Sequence, residues 1–215
     1  MRLIVVSAGI LAILGTVNAQ APTTRDLHLR GDRFKPLTYD TLTPEQKTLV
    51  DNIVAGPRTS LDGPFNVLLR NPEMGDLAQK FGAQMRYHSS LPPRLNEFII
   101  LITARHWTAQ FEWQAHRKIA LAAGLSPAVI DALAAGKRPA SMQPDEDVVY
   151  NFCTEVLATK QSSDAAFQAA KEKFGERGVV DMLGVMGYYQ FVSMLLNVDR
   201  YPLADGAQPE LKPLR

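Results

Sequence analysis

Cysteine is nearly absent from this chain of 215 residues, which contains only Cys153. A chain with one thiol forms no intramolecular disulfide, has no Cys-x-x-Cys redox motif and offers no cysteine pair to zinc. Cys153 lies in the apolar run V-V-Y-N-F-C-T-E-V-L, which is typical of a buried core residue rather than of a reactive nucleophile. Packing or oligomer formation must therefore supply the stability.

An excess of charge of either sign is also missing. The chain has 23 basic and 22 acidic side chains, and Arg2 is the only charged residue of the predicted leader described below. The mature chain is therefore neutral, which disfavours nucleic acids and anionic membranes as partners. The sequence also lacks a P-loop, a dinucleotide fingerprint and the G-x-S-x-G elbow of serine hydrolases.

The N-terminus has the three-part organisation of a secretory signal. A cationic start, Met1-Arg2, precedes an apolar run over residues 3–14 and a run of small residues that ends at Ala19. We predict cleavage after Ala19 and export to the periplasm or the medium, without membrane contact afterwards. The alternative is an uncleaved anchor, although spanning a bilayer takes about 20 apolar residues. Residues 20–42 lack periodicity and predict an extended arm, and residues 43–215 predict one domain.

Apolar periodicity and helix start and stop residues predict an all-α fold of seven or eight helices. Thr43-Pro44 is typical of a helix start, and Gln46 completes a capping box. The five apolar residues 98–102 fit a buried strand on periodicity alone. We predict a buried helix, because the flanking polar residues show neither strand alternation nor turn signals. A loop with a short apolar turn is predicted for residues 61–71, and a helix end near Gly175.

Polar groups stand among large apolar side chains between Glu97 and His116. Glu112 and His116 are four residues apart, so a helix places them on one face, where they can form a hydrogen bond. Such a pair raises the imidazole pKa and prepares the ring for acid–base chemistry. The alternative is an exposed ion pair that contributes little to the stability of the protein. Glu97 heads an apolar helix and needs a partner, which is either a catalytic group or a salt bridge with Arg94 or Arg105.

A metal site is a further possibility for this segment. His106, Glu112 and His116 carry suitable ligand atoms. The sequence lacks HExxH and the paired ExxH spacing of di-iron bundles, however. We therefore predict neither a metal nor an organic cofactor.

The stretch L-P-P-R-L-N-E-F-I-I-L-I-T-A-R-H-W, followed by E-W-Q-A-H-R-K-I-A-L-A-A-G-L-S, resembles the carboxymuconolactone decarboxylase family. A looser similarity continues through D-E-D-V-V-Y-N-F and G-Y-Y-Q-F-V-S-M-L-L-N. The resemblance implies an alkylhydroperoxidase D-like multi-helix bundle that forms a homo-oligomer, a trimer or hexamer, with sites near the subunit contacts. In the peroxidase branch a glutamate, a Cys-x-x-Cys and a histidine form the pattern. Here the glutamate and histidine fall on Glu97 and His116, but the cysteine positions hold Ala109 and Glu112. Thiol peroxidase chemistry needs both missing thiols.

The resemblance implies a cofactor-free carboxy-lyase of the 4-carboxymuconolactone decarboxylase type. Its substrate would be a small carboxylated lactone or a related intermediate of aromatic-compound catabolism. We predict His116 as the proton donor, Glu112 as the group that orients or recharges it, and Glu97 as a group that polarises the lactone or relays the proton.

Four neighbouring side chains are predicted to contact the substrate, with one of the two arginines, Arg94 or Arg105, holding its carboxylate: Arg94, Arg105, His106 and Trp113. The predicted export differs from the cytoplasmic pathway that gives the family its name, which favours another physiological substrate. Two alternatives stay open: a thiol-independent relative of the peroxidases that acts on another small molecule, and a non-catalytic binding protein.

Overall fold

The computed structural model describes residues 25–58 and 60–213. The predicted signal segment, residues 1–19, lies outside the described residues, so its cleavage remains a prediction. Within the described ranges the chain forms eight α-helices and no strand, which confirms the all-α prediction. The helices are α1 (Pro44–Ala55), α2 (Phe65–Leu68), α3 (Pro72–Tyr87), α4 (Pro93–His106), α5 (Gln110–Ala122), α6 (Pro127–Ala134), α7 (Pro144–Thr159) and α8 (Asp164–Asp199).

Local sequence sets several of the helix boundaries. The Thr43 side chain accepts a hydrogen bond from Gln46 N, and Gln46 Oε1 accepts one from Thr43 N, so the predicted capping box is present. Helix α5 begins at Gln110 because Thr108 has a φ of 50°, which interrupts the helical path from α4. Gly175 has a φ of 70° and kinks α8 where the sequence predicts a helix end.

Helix α4 is the central element of the fold. It packs against α5, α6, α7 and α8, and its Leu95, Phe98 and Leu101 are fully buried. Burial of each such side chain contributes about 1.5–3 kcal/mol to the stability of the folded protein. This gain favours a position of residues 98–102 in which other helices cover them on all sides. Any polar side chain on α4 near this core must therefore find a partner inside the protein.

A second apolar cluster holds the N-terminal part of the chain. It combines α1 with the segment that contains α2, and Phe191 and Leu195 of α8 pack against it. Helix α2 is a single turn where the sequence predicts a loop with an apolar turn. Four residues are too few for a recognisable helical period, so burial of Phe65 and Leu68 stabilises this turn.

Helix α8 is long and apolar enough, by length and composition, to cross a membrane. Half of its most apolar 18-residue window is buried inside the fold, as in the core helix of a globular domain. At its C-terminal end, Asp199 Oδ1 accepts hydrogen bonds from Asp32 N at 3.2 Å and Phe34 N at 2.8 Å. This buried carboxylate anchors the N-terminal segment, of which residues 25–38 contain no helix or strand.

The C-terminal segment lies along α5. Gln110 Nε2 donates to Leu211 O at 2.6 Å, and Gln114 Nε2 donates to Gln208 O at 2.7 Å. The Leu211 side chain is buried in the main core. Both ends of the described chain are therefore fixed next to helices that carry the candidate site.

Candidate functional site

His116 lies between two carboxylates in the interior of the protein. Its Nδ1 is 2.6 Å from Glu97 Oε2, and its Nε2 is 3.0 Å from Glu112 Oε1. The exposed fractions are 3% for His116, 5% for Glu97 and 4% for Glu112. Both ring nitrogens are thus engaged, and the three side chains form a buried relay Glu97–His116–Glu112.

The helices explain this geometry. Glu97 comes from the first turns of α4, and the antiparallel neighbour α5 supplies Glu112 and His116 one helical turn apart. The Tyr189 ring of α8 meets the imidazole edge-on, with ring centroids 5.0 Å apart and an interplanar angle of 80°. Packing from three helices therefore fixes the ring orientation.

The charges around His116 determine its protonation state. Burial lowers the pKa of His116, but the charge and hydrogen bond of Glu112, together with those of Glu97, outweigh burial and raise it to about 9. The ring is therefore an imidazolium at neutral pH, hydrogen-bonded to Glu97 through Nδ1 and paired with Glu112 through Nε2. A charged imidazole with two carboxylate partners can hold and pass on one proton.

A small cavity of about 80 Å³ lies beside the relay. Glu112 and His116 line it, whereas Glu97 lies behind the imidazole. The other lining side chains come from α3, α5, α8 and the segment before α2: Arg58, Pro64, Arg86, Phe111, Ala115, Tyr188, Tyr189 and Val192. Burial raises the pKa of Tyr188 and Tyr189, so both phenols stay protonated. The cavity places an acid–base group among apolar, phenolic and cationic side chains.

Residues 72–152 match the model of the carboxymuconolactone decarboxylase family, and this stretch contains Glu97, Glu112 and His116. Over these residues the chain is similar to the carboxymuconolactone decarboxylase family. No protein of curated function matches the chain in sequence.

A solved structure supports the family fold. It is the crystal structure of a protein of unknown function from Agrobacterium tumefaciens with a suggested role in antioxidant defence as AhpD, and its TM-score is 0.53. The two sequences are 17% identical, and the alignment covers 66% of this chain and 99% of that chain. At this identity the similarity shows the AhpD-like fold alone.

None of the four residues predicted to contact substrate lines this cavity. Arg94 forms a salt bridge with Glu146 and another with Asp145 at 2.8 Å, so its charge is used at the start of α7. Arg105 donates to Lys212 O at 2.8 Å and thereby holds the C-terminal segment.

The two aromatic members of that group are also directed elsewhere. His106 is exposed at the end of α4. Trp113 is fully buried in the main core, and its Nε1 donates to Glu210 Oε2 at 3.1 Å. Trp113 follows Glu112 directly, and consecutive helical residues point in directions about 100° apart, so the two side chains diverge.

Four cavity residues were missed by sequence reasoning: Arg58, Arg86, Tyr188 and Tyr189. Arg58 lies in an irregular segment, where no period indicates the direction of a side chain. Arg86 occupies the last turn of α3, where a basic residue is usual for electrostatic reasons. Of these four residues, only the tyrosine pair could have been recognised from the sequence, because two phenols in an otherwise apolar helix need polar partners.

A close helix contact positions Tyr188. Gly82 of α3 faces this residue, and a Cβ at position 82 would overlap the phenol ring. In α8, a Cβ at Gly184 would meet the Met85 side chain of α3, whereas Gly187 has open space around it. The contact that matters for the site is therefore made by a glycine of α3.

Cys153 lies in the main core with no exposed surface. Burial raises its pKa far above the ordinary value, so its thiol stays protonated. The positions of the two redox cysteines of the peroxidase branch hold Ala109 and Glu112. Where the resemblance places the second redox cysteine of the peroxidases, this chain has Glu112, whose carboxylate lies next to His116.

Proposed function

We propose that the protein is a cofactor-free carboxy-lyase that acts on a small carboxylated lactone or a related intermediate of aromatic-compound catabolism. The buried relay Glu97–His116–Glu112 beside a cavity carries this proposal. Similarity to the family supports the reaction class, and the missing redox thiols disfavour peroxide chemistry. Loss of carbon dioxide leaves an electron pair that needs one delivered proton, and a charged imidazole between two carboxylates supplies one.

The geometry favours Glu112 as the group that delivers the proton to the substrate, whereas the sequence predicts His116 in this role. Both nitrogens of His116 are hydrogen-bonded to carboxylates, and of the two carboxylates Glu112 lines the cavity. The proton therefore passes from His116 Nε2 to Glu112 and from there to the substrate. Glu97 holds Nδ1 and stabilises the imidazolium, so it is a positioning residue that does not touch the lactone.

In the proposed step, the bond between the substrate carbon and its carboxylate breaks, and the electron pair moves into the unsaturated lactone toward its carbonyl oxygen. Carbon dioxide leaves, and the carbon takes the proton from the Glu112 carboxyl. His116 has given its Nε2 proton to Glu112 and regains one from water after the product leaves. The surrounding apolar side chains keep competing water away.

The test is a measurement of carbon dioxide release from 4-carboxymuconolactone and related lactone acids. We expect turnover by the wild type and a loss of at least about 100-fold in Glu112→Gln, since general acid–base groups contribute about 10²–10⁴-fold. Cys153→Ala, a change in the core outside the cavity, serves as the matched control and retains the activity.

Two outcomes would contradict the proposal. One is unchanged turnover in Glu112→Gln, which removes the acid from the site. The other is peroxide reduction that depends on Cys153 and proceeds without any release of carbon dioxide. Ligand binding without pH-dependent turnover of any lactone acid would instead favour a binding protein that retains the fold.

A further inference from the structure

Two arginines line the cavity without a carboxylate partner. Arg58 Nε is buried and has no hydrogen-bond partner, and Arg58 Nη2 is 3.4 Å from Tyr188 Oη. Arg86 forms no salt bridge or hydrogen bond within the described part of the chain, and its guanidinium lies 5.2 Å from the centre of the Tyr87 ring. Glu97 and Glu112 attract the Arg86 guanidinium from beyond salt-bridge distance, so neither arginine has a carboxylate in direct contact. A guanidinium that is partly removed from water favours a directly bound anion.

The charges around the cavity also favour a bound anion. Arg58, Arg86 and His116 are positive, whereas Glu97 and Glu112 are negative, which leaves one positive charge in excess. Coulomb attraction is strong where burial lowers the effective dielectric constant. A carboxylate is the group that matches the planar donor fork of arginine, and two arginines can hold its two oxygens.

The size of the cavity limits what can enter it. A volume of about 80 Å³ fits two or three waters at about 30 Å³ each, which is also the scale of one carboxylate group. Pockets that enclose whole small ligands measure about 300–1,000 Å³. A ring acid therefore places only its carboxylate here.

A second pocket of about 400 Å³ lies on the other side of Phe111. Phe111 and Ala115 line both spaces, so the Phe111 ring forms part of the wall between them. This outer pocket is also lined by Gln114, Lys118 and the C-terminal segment, and it has the volume that a ring requires. Phe111 is half-buried and contacts the Tyr201 ring at a centroid distance of 4.5 Å.

We propose that Arg58 and Arg86 bind the carboxylate of a ring acid whose body lies beyond Phe111 in the outer pocket. This assignment rests on the proposed function, and it names the recognition element of that site.

The test uses binding rather than turnover. Fluorine NMR of the purified protein measures the affinity for 4-fluorobenzoate and for its neutral analogue 4-fluorobenzamide. Arg58→Gln and Arg86→Gln each weaken benzoate binding at least about tenfold and leave benzamide binding unchanged. Arg138→Gln is the matched control, because Arg138 is exposed and pairs with Asp147 outside the cavity. Phe111→Trp narrows the passage and weakens both ligands alike.

Arg58→Lys and Arg86→Lys test the same proposal if a glutamine variant fails to fold. They retain the charge but lose the donor fork, so we expect a smaller but measurable weakening of benzoate binding. The proposal is overturned if the wild type binds benzoate no better than benzamide, or if the arginine variants bind benzoate like the wild type.

The two proposals fail in distinguishable ways. Glu112→Gln abolishes turnover under the proposed function but leaves benzoate binding in place. Arginine-dependent binding without turnover of any lactone acid would reject the lyase and keep the arginine pair. Turnover that is insensitive to both arginines would reject the pair and keep the lyase.

Discussion

His116 is the residue on which the proposed chemistry depends. A buried imidazole is usually neutral, yet here the charges and hydrogen bonds of Glu112 and Glu97 overcome burial and raise its pKa to about 9. The same interactions contribute to folding, because a group that binds its proton more tightly in the folded state stabilises that state. One residue therefore links catalysis, protonation and stability.

The pH dependence of stability follows from this link. Between the ordinary histidine pKa of 6.5 and the raised value of about 9, the folded protein holds a proton that the unfolded chain has lost. The stabilisation is fully present below pH about 6.5 and decreases as the pH rises toward about 9, by up to about 1.4 kcal/mol per pH unit. Urea denaturation between pH 6.5 and 8.5 measures the slope.

His116→Gln removes this slope, whereas His88→Gln keeps it, because His88 is exposed at the end of α3. Equal slopes in the wild type and in His116→Gln would show that the imidazole is not held in its charged form.

At the scale of elements, the sequence predicted contacts between residues that are close along the chain, and contacts that the family pattern implies. The pair Glu112 and His116 follows from helical spacing, and the contact between Glu97 and His116 follows from the family arrangement of α4 and α5. The catalytic roles of these residues remain predictions. Arg58 and Tyr188 are 130 positions apart, and only tertiary packing brings them together. Arg94 lies outside the cavity for a similar reason, because the acidic start of α7 binds its side chain.

The contact between α3 and α8 provides a test of packing near the site. Gly82→Ala forces the Tyr188 ring to move, and overpacking of this kind costs about 1–3 kcal/mol. Gly187→Ala is the control: its new methyl group meets no atom within 4 Å, and alanine is favoured over glycine in a helix by about 0.5–1 kcal/mol. Thermal unfolding should thus shift in opposite directions for the two variants. A shift in the same direction would contradict the described contact between Gly82 and Tyr188.

At the scale of the whole molecule, apolar side chains remain exposed on neighbouring helices. Leu77 of α3 is 71% exposed and Val180 of α8 is 65% exposed, and these two helices pack against each other. Phe81, one helical turn beyond Leu77, is 45% exposed and contacts the Tyr188 ring edge-on, at a centroid distance of 5.8 Å. Exposed apolar groups of this kind mark contact surfaces.

The oligomer expected from the family resemblance is testable on this surface. We expect the wild type to form a homo-oligomer in light-scattering chromatography, and Val180→Asp to shift it toward the monomer because a charge in an apolar interface is costly. Val54→Asp on α1 is the control, since Val54 is also exposed but belongs to another helix pair. A monomeric wild type at micromolar concentration would contradict the prediction. The predicted export needs its own test, mass determination of the N-terminus of the secreted protein.

The most direct measurement of the central claim is nitrogen NMR of the protein with labelled histidine. If the relay exists as described, His116 carries a proton on both Nδ1 and Nε2 at pH 7.5, shows imidazolium nitrogen shifts and titrates near pH 9. A neutral ring at pH 7.5, with one protonated nitrogen and one free nitrogen, would contradict the charged relay and the proton delivery proposed from it.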